Sequence, residues 1–165
     1  MVLEMVGIFT VVFLLACVIT GITDHNKHNK NYNMSFKEAM DLTDLPVVTF
    51  YSDTKKLNFL LDTGSNLSYI NSSVLNSISC NKSNKDSMDT IGVEGNKVKV
   101  DFYKIKVSYK NQEFEEDFAA RNLDDAFSVI KEESGVQIHG ILGSLFFQKY
   151  KYILDFESLI AYSKK

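Results

Sequence analysis

Cysteine and histidine are scarce in this sequence of 165 residues, and neither sign of charge is in strong excess. The two cysteines, Cys17 in an apolar run and Cys80 in a polar stretch, do not suggest a disulfide, and Cys80 is predicted to be a free thiol. His25 and His28 have no cluster of cysteine or carboxylate residues beside them, so no metal site is predicted. The net charge of −3, with scattered Lys and Glu, lacks the basic patch that binding to phosphate groups requires, which argues against nucleic acid as a partner.

The sequence does contain enough apolar residues for one core. Of its residues, 45% are apolar and 12% are aromatic, and a chain of this length is expected to fold as one globular domain rather than two. We divide it into an apolar N-terminal segment at 1–23, a polar linker at 24–34 and a folded domain at 35–165.

The N-terminal segment contains nineteen consecutive uncharged residues, from Met5 to Thr23. As a helix they would measure about 28 Å, close to the hydrocarbon thickness of a bilayer, so a single transmembrane helix is the leading interpretation. A cleaved signal peptide is an alternative, although only Glu4 precedes the run and a basic start is absent. Another is a lipidated N-terminus at Cys17, because "LLAC" resembles a bacterial lipobox. The last alternative is a buried helix of a globular domain.

The residues after this segment bear on membrane orientation. Lys27, Lys30 and Lys37 follow the apolar run, and the positive-inside rule would then place the domain in the cytoplasm. Three charges are a small asymmetry, so the prediction is a membrane-anchored, single-pass protein whose side of the membrane stays open. The stretch "DHNKHNKNYN", residues 24–33, is polar and without periodicity, and we expect it to be a tether.

The rest of the chain has the pattern of a β protein with short helices. Ser35 and Glu38 have the spacing of a capping box and start a short helix that Pro46 ends. Gly135 is expected to end an amphipathic helix that Asn122 caps. The other predicted elements are strands at 47–51 and 57–62, a helical turn at 71–78 capped by Asn71, a polar loop at 79–89, a hairpin and strand over 90–109, a strand at 113–120, an apolar strand from 140 that breaks at Gly143, and a hairpin over 150–163.

One apolar strand ends on a charged residue. In "FLLDTGSN", residues 59–66, two leucines come directly before Asp62. An ionised carboxylate beside a core is costly unless it is paired, hydrogen-bonded or used in chemistry. Asp62 therefore needs either a structural partner or a chemical task.

Three segments resemble parts of the aspartic protease sequence. "LLDTGSN", residues 60–66, is similar to the active-site loop of that family, and "HGILGSLFF", residues 139–147, is similar to the second half of its signature. "YKYILDFESLIAY", residues 150–162, is similar to the closing hairpin of members with a single lobe. Because the Asp-Thr-Gly segment occurs once, the resemblance is to the retropepsin-like group, and it covers about residues 45–163.

This resemblance implies an all-β fold with short helices, a retropepsin-like acid-protease lobe that closes like a β-barrel, preceded here by the transmembrane helix. Members pair two identical lobes, so a homodimer is implied, with Asp62 of each chain as the catalytic residue. Two carboxylates this close share one proton, so one can take a proton from water while the other donates one to the peptide carbonyl. No cofactor or metal is implied.

Neighbouring residues are expected to support this pair. Gly64 allows a tight turn and a close approach of the two loops. Thr63, by resemblance, would form a hydrogen bond across to the loop of the partner chain. Ser65 is expected to form a hydrogen bond with the Asp62 carboxylate, which would favour its ionised form and move activity to lower pH. The second signature loop comprises Ile141, Leu142 and Gly143.

A glycine-rich hairpin is the candidate flap over the substrate. Gly92, Val93, Glu94 and Gly95 form its tip, and a closed flap would exclude water from the reaction. Family flaps are glycine-rich, but Glu94 departs from their apolar tip, and a plain surface hairpin is the alternative. His139, just before the second signature segment, is interpreted as structural.

The predicted function is therefore that of an aspartic endopeptidase, a peptide hydrolase that acts on extended peptide segments as a membrane-anchored homodimer. The alternative is a non-catalytic membrane-tethered module of the same fold that binds peptides or serves as a scaffold. The identity of the substrate, the removal or lipidation of the N-terminal segment and the pH optimum stay open.

Overall fold

The computed structural model describes residues 34–91 and 97–164. Strands predominate in this part of the chain, and short helices lie between them. The helices are α1 (Phe36–Thr43), a 3-10 helix (Ser72–Ser77), α2 (Asp124–Ser134) and α3 (Ser144–Tyr150). The strands are β1 (Val47–Ser52), β2 (Lys55–Leu61), β3 (Tyr69–Asn71), β4 (Cys80–Lys82), β5 (Met88–Ile91), β6 (Lys97–Val100), β7 (Phe102–Tyr109), β8 (Gln112–Arg121), β9 (Gly140–Leu142), β10 (Tyr152–Asp155) and β11 (Ile160–Ser163).

Six of the strands close into a barrel. Their order is β1-β2-β9-β3-β8-β7, and β7 returns to β1 where Tyr51 pairs with Ser108. The short strand β4 also pairs with β7, while β5 with β6 and β10 with β11 form separate antiparallel hairpins. A mostly-β fold with short helices and a closed barrel is therefore confirmed.

Strand β2 shows how the sequence produces the barrel interior. Leu57, Phe59 and Leu61 are buried, and they alternate with more exposed residues because successive side chains of a strand point to opposite faces. They join Phe50 of β1 and Phe146 of α3 in a core rich in aromatic rings. The rings of Phe50 and Phe59 meet edge to face, with centroids 5.7 Å apart. Each such buried side chain stabilises the fold by about 1.5–3 kcal/mol.

A second apolar cluster joins α1 and α2 to the barrel. It contains Ala39 of α1, Phe127 of α2 and Val47 of β1. Met34 belongs to the same cluster and is only 2% exposed. Its backbone N–H donates to the hydroxyl of the buried Thr49, with 2.7 Å between the two atoms. The core therefore includes Met34, which lies at the end of the range that the sequence assigns to the linker.

Three of the helix ends follow the predicted signals. Ser35 and Glu38 form the capping box, in which the Ser35 N–H donates to the Glu38 carboxylate at 2.9 Å and the Glu38 N–H donates to the Ser35 hydroxyl at 3.3 Å. Asn71 caps the 3-10 helix by accepting from the N–H of Ser73 at 3.3 Å. Gly135 ends α2 with a φ of 73°, a conformation that favours glycine. The predicted strands and the C-terminal hairpin are also present.

Two predicted details are wrong. Residues 79–89, predicted as a polar loop, contain β4 and the start of β5. Main-chain hydrogen bonds to a neighbouring strand hold such a strand, and they form without an alternating pattern of apolar side chains. Helix α2 begins at Asp124 with Leu123 in the N-cap position. The predicted cap, Asn122, lies one residue earlier, where its side chain accepts from the N–H of Asp124 at 2.9 Å.

Three predicted segments lie outside the described residues: the transmembrane helix at 5–23, the tether at 24–33 and the flap tip at 92–95. None of the helices in the described ranges combines the length and the apolar character needed to cross a bilayer. The membrane anchor and the flap therefore stay predictions.

Candidate functional site

The parallel pairing of β2 and β9 brings the two signature segments together. Phe59, Leu60 and Leu61 pair in register with Gly140, Ile141 and Leu142. Since parallel strands end at the same edge of a sheet, Asp62 after β2 lies beside Gly143 after β9. The Asp62 N–H donates to the carbonyl of Leu142, with 3.0 Å between the two atoms.

Asp62 lies at the rim of the barrel rather than in its core. Leu61 before it is 3% exposed, whereas Asp62 itself is partly exposed. Its Oδ1 accepts from the N–H of Gly64 at 2.8 Å, and its carbonyl accepts from the N–H of Ser65 at 3.3 Å. No ion pair to Asp62 is present among residues 34–91 and 97–164. The carboxylate is thus hydrogen-bonded within a tight turn and open to solvent.

Gly143 meets a strict steric requirement at this site. A Cβ on Gly143 would lie 2.3 Å from the carbonyl oxygen of Leu67 and 2.9 Å from that of Ser65. Its φ of −94° is accessible to any residue, so the close approach, and not the backbone conformation, requires glycine. Gly64 is less constrained, because a Cβ there would lie 3.2 Å from Asp62 Oδ1.

The side chain of Ser65, close to Asp62, differs from its predicted placement. The Ser65 hydroxyl donates to the carbonyl of Leu67 at 2.8 Å, so the expected hydrogen bond to the Asp62 carboxylate is wrong. Ser65 instead supports the loop from within. Thr63 is exposed, and its hydrogen bond to the loop of a partner chain stays a prediction.

The loop that follows Asp62 binds the start of α3. The Ser144 N–H donates to the carbonyl of Ser65 at 2.7 Å, and the Leu145 N–H donates to that of Asn66 at 3.3 Å. The N–H groups of the first helical turn have no partner within a helix, so carbonyls of the loop satisfy them. The two signature segments are therefore one hydrogen-bonded unit.

Two residues of this unit, Ser68 and Gly140, were not predicted from the sequence as site residues. Ser68 is 2% exposed, and its hydroxyl oxygen accepts from the N–H of Gly143 at 3.3 Å. No signal in the sequence separates it from an ordinary loop serine. Gly140 would place a Cβ 2.4 Å from the carbonyl oxygen of Tyr69, and its position in "HGILG" was the available signal.

His139 joins β2 to β9 four residues before Gly143. The imidazole Nδ1 of His139 accepts from the backbone N–H of Asn58 at 3.0 Å, and the backbone N–H of His139 donates to the Asn58 carbonyl at 2.8 Å. Burial, together with the positive charges of Lys55 and Lys131, lowers the pKa of His139 to about 4. The imidazole is therefore neutral near pH 7 and acts as an acceptor within the frame of the site.

The hairpin β5–β6 is fastened at its base. Asp101 follows β6 and accepts hydrogen bonds from the Ser87 hydroxyl at 2.6 Å and from Lys82 Nζ at 3.1 Å. These two bonds hold the pKa of Asp101 below its usual value. Asp101 is thus engaged at the hairpin and has no part in the Asp62 loop.

The described residues contain no group of three or more His, Cys, Asp or Glu side chains close enough together to hold a metal ion.

Comparisons with known proteins give structural likenesses only. No family model matches the sequence, and no curated protein matches it. The EIAV protease, in complex with the inhibitor HBY-793, is similar in structure with a TM-score of 0.46 and 19% identity, over 64% of this chain and 86% of that one. The retroviral protease-like domain of Ddi1 from Leishmania major is similar with a TM-score of 0.49 and 10% identity, over 73% of this chain and 89% of that one. Both TM-scores lie below 0.5, so the function has to be inferred from the site itself.

Proposed function

We propose that this chain is a retropepsin-like aspartic endopeptidase that hydrolyses peptide bonds as a homodimer. The observation that carries the proposal is the placement of Asp62. Its carboxylate is partly exposed at the barrel rim, accepts the Gly64 N–H at 2.8 Å, and lies on a backbone that is hydrogen-bonded to Leu142 of the second signature loop.

The chemistry requires a second carboxylate. Peptide hydrolysis by water needs one group that removes a proton from water and another that protonates the carbonyl oxygen. Each chain supplies one Asp62, and a two-fold axis that passes near the loop would bring two copies together. Like charges at such a distance do not both ionise, so the pair holds one proton and can perform both steps.

Exposed apolar side chains support pairing with a second copy. Ile160 and Tyr162 lie on one face of β11 and are 42% and 37% exposed, whereas Ala161 between them is buried against the core. Leu145, two residues after Gly143 of the second signature loop, is 50% exposed. Contact between copies would remove this apolar surface from water, and the exposed Thr63 would then contact the loop of the partner chain.

The substrate is proposed to be a peptide segment in extended form, bound in the cleft between the two lobes. Extended peptides offer main-chain hydrogen bonds along the whole cleft, and side-chain pockets then give specificity. Residues 92–95 are proposed as the flap that closes over this peptide. Residues 5–23 are proposed as a membrane anchor, with its side of the membrane left open.

The test is cleavage of a peptide library by the purified full-length protein in detergent, from acidic to neutral pH. The wild type is expected to cleave, whereas Asp62→Asn retains the fold and shows no activity, because an amide cannot share the proton of the pair. Asp41→Asn, an exposed change on α1, is the matched control and is expected to cleave like the wild type. Binding of peptides without any cleavage by the wild type would reject the proposal and favour a non-catalytic module.

A further inference from the structure

Ser68 has two separate hydrogen-bond connections although it belongs to a loop. Its hydroxyl oxygen accepts from the N–H of Gly143 at 3.3 Å, and its carbonyl accepts from the N–H of Ala119 in β8 at 2.9 Å. The residue is 2% exposed. The hydroxyl is thus held at a fixed place between the barrel wall and the second signature loop.

The peptide unit between Leu142 and Gly143 is bound on both of its polar sides. Its N–H donates to Ser68 Oγ at 3.3 Å, and its carbonyl accepts from the N–H of Asp62 at 3.0 Å. A peptide unit is planar, so fixing the N–H also fixes the direction of the carbonyl. The contact with Ser68 therefore sets the orientation of this peptide plane, and the plane in turn sets the position of the Asp62 backbone N–H.

Gly143 has no Cβ, so no side chain limits how the Leu142–Gly143 peptide plane can turn. Glycine lacks the steric limits that hold other residues in a narrow range of dihedral angles. A Cβ cannot be added, because it would lie 2.3 Å from the carbonyl oxygen of Leu67. The hydrogen bond that the Gly143 N–H donates to Ser68 Oγ supplies the restraint that a side chain would otherwise give.

We propose that Ser68 is a positioning residue of the active site, which acts through the Leu142–Gly143 peptide to hold Asp62 at the place where it meets its counterpart. This inference rests on the proposed function. Loss of the hydroxyl leaves a buried N–H without an acceptor and lets the peptide plane turn, which displaces Asp62 while the barrel itself stays folded.

The test compares Ser68→Ala and Ser68→Thr with the wild type in the full-length protein. The control is Ser73→Ala, which changes an exposed serine. For Ser68→Ala we expect kcat to fall about tenfold, with KM within about twofold of the wild type, because misplaced reacting groups cost rate more than binding. Coupling between the two carboxylates weakens as they move apart, so the acidic and basic limbs of the pH–rate profile move toward each other. Ser68→Thr, which retains the hydroxyl, is expected to restore both properties.

A second readout does not require activity. Amide hydrogen exchange of Asp62, followed by NMR, is expected to become about tenfold faster in Ser68→Ala and to be unchanged in Ser73→Ala. A wild-type pH–rate profile together with unchanged exchange at Asp62 would overturn the inference. So would a loss of activity that follows the unfolded fraction alone. If the wild type cleaves nothing, the proposed function fails, and exchange at Asp62 then decides by itself whether Ser68 positions that residue.

Discussion

At the scale of single residues, the two glycines of the site differ in what they tolerate. A Cβ on Gly143 would lie 2.3 Å from the Leu67 carbonyl oxygen, which belongs to the backbone and cannot move without the loop. A Cβ on Gly64 would lie 3.2 Å from Asp62 Oδ1, the end of a partly exposed side chain. The first contact is prohibitive, and the second needs a shift of a few tenths of an ångström.

We therefore predict that Gly143→Ala lowers the free energy of unfolding by about 3 kcal/mol, at the upper end of overpacking costs. The loop from Ser65 to Leu67 has to move away from α3, so the Ser144 N–H also loses its 2.7 Å contact with the Ser65 carbonyl. Urea denaturation of the purified protein measures the change. Gly64→Ala serves as the control, with an expected cost below about 1 kcal/mol. Equal costs for the two substitutions would contradict the steric account.

At the scale of elements, the pairing of β2 with β9 makes stability depend on pH. The partly buried His139 accepts the Asn58 N–H as a neutral imidazole, and its pKa falls from 6.5 to about 4 on folding. The unfolded chain therefore binds the proton more tightly than the folded one. The contribution of His139 is complete above pH 6.5 and is lost progressively as the pH falls toward 4.

The expected loss is about 3 kcal/mol between these two pH values, since each pKa unit corresponds to about 1.4 kcal/mol. Denaturation curves measured at pH values across this window test it. His139→Asn is the informative variant, because its amide oxygen can accept the Asn58 N–H and does not titrate. Its stability is expected to vary less with pH over the same window than that of the wild type. An identical pH dependence in both proteins would assign the effect to other groups.

The elements that the sequence predicted well are those with strong local signals. The capping box at Ser35, the cap at Asn71 and the glycine after α2 each satisfy backbone groups within a few residues, so short-range pattern suffices. Strand β4 has no such signal. Two of its three residues, Asn81 and Lys82, are polar, and the strand exists because its main chain pairs with β7, a contact that only the assembled sheet provides.

The same distinction applies to the site. The sequence predicted Asp62, Gly64 and Gly143 as site residues from the family resemblance and from the chemistry of a carboxylate pair, and the structure places the segments that contain them side by side. The partners of the serines were not found. The Ser65 hydroxyl is bonded to Leu67 rather than to Asp62, and Ser68 reaches a residue 75 positions away in the chain. A hydroxyl can donate and accept in many directions, so its partner depends on tertiary structure.

At the scale of the whole molecule, the position of the two signature segments in the barrel bears on the proposed dimer. Both signature segments end at one edge, where β2 and β9 stop, and together they contribute the single carboxylate of Asp62. The barrel has no second Asp-Thr-Gly segment in its own sequence to supply the other. The proposed activity needs two carboxylates, and we expect it to use one Asp62 from each of two chains.

This gives a quantitative prediction for mixed assemblies. When equal amounts of wild type and Asp62→Asn are co-expressed, random pairing leaves about one quarter of the dimers with two Asp62 carboxylates. Activity per total protein should then be about one quarter of that of the wild type, measured with a peptide that the wild type cleaves. Co-expression with Asp41→Asn, a change outside the site, should leave the activity undiminished. A chain that works alone would instead lose half its activity in the first mixture, and that value would show that Asp62 acts without a counterpart.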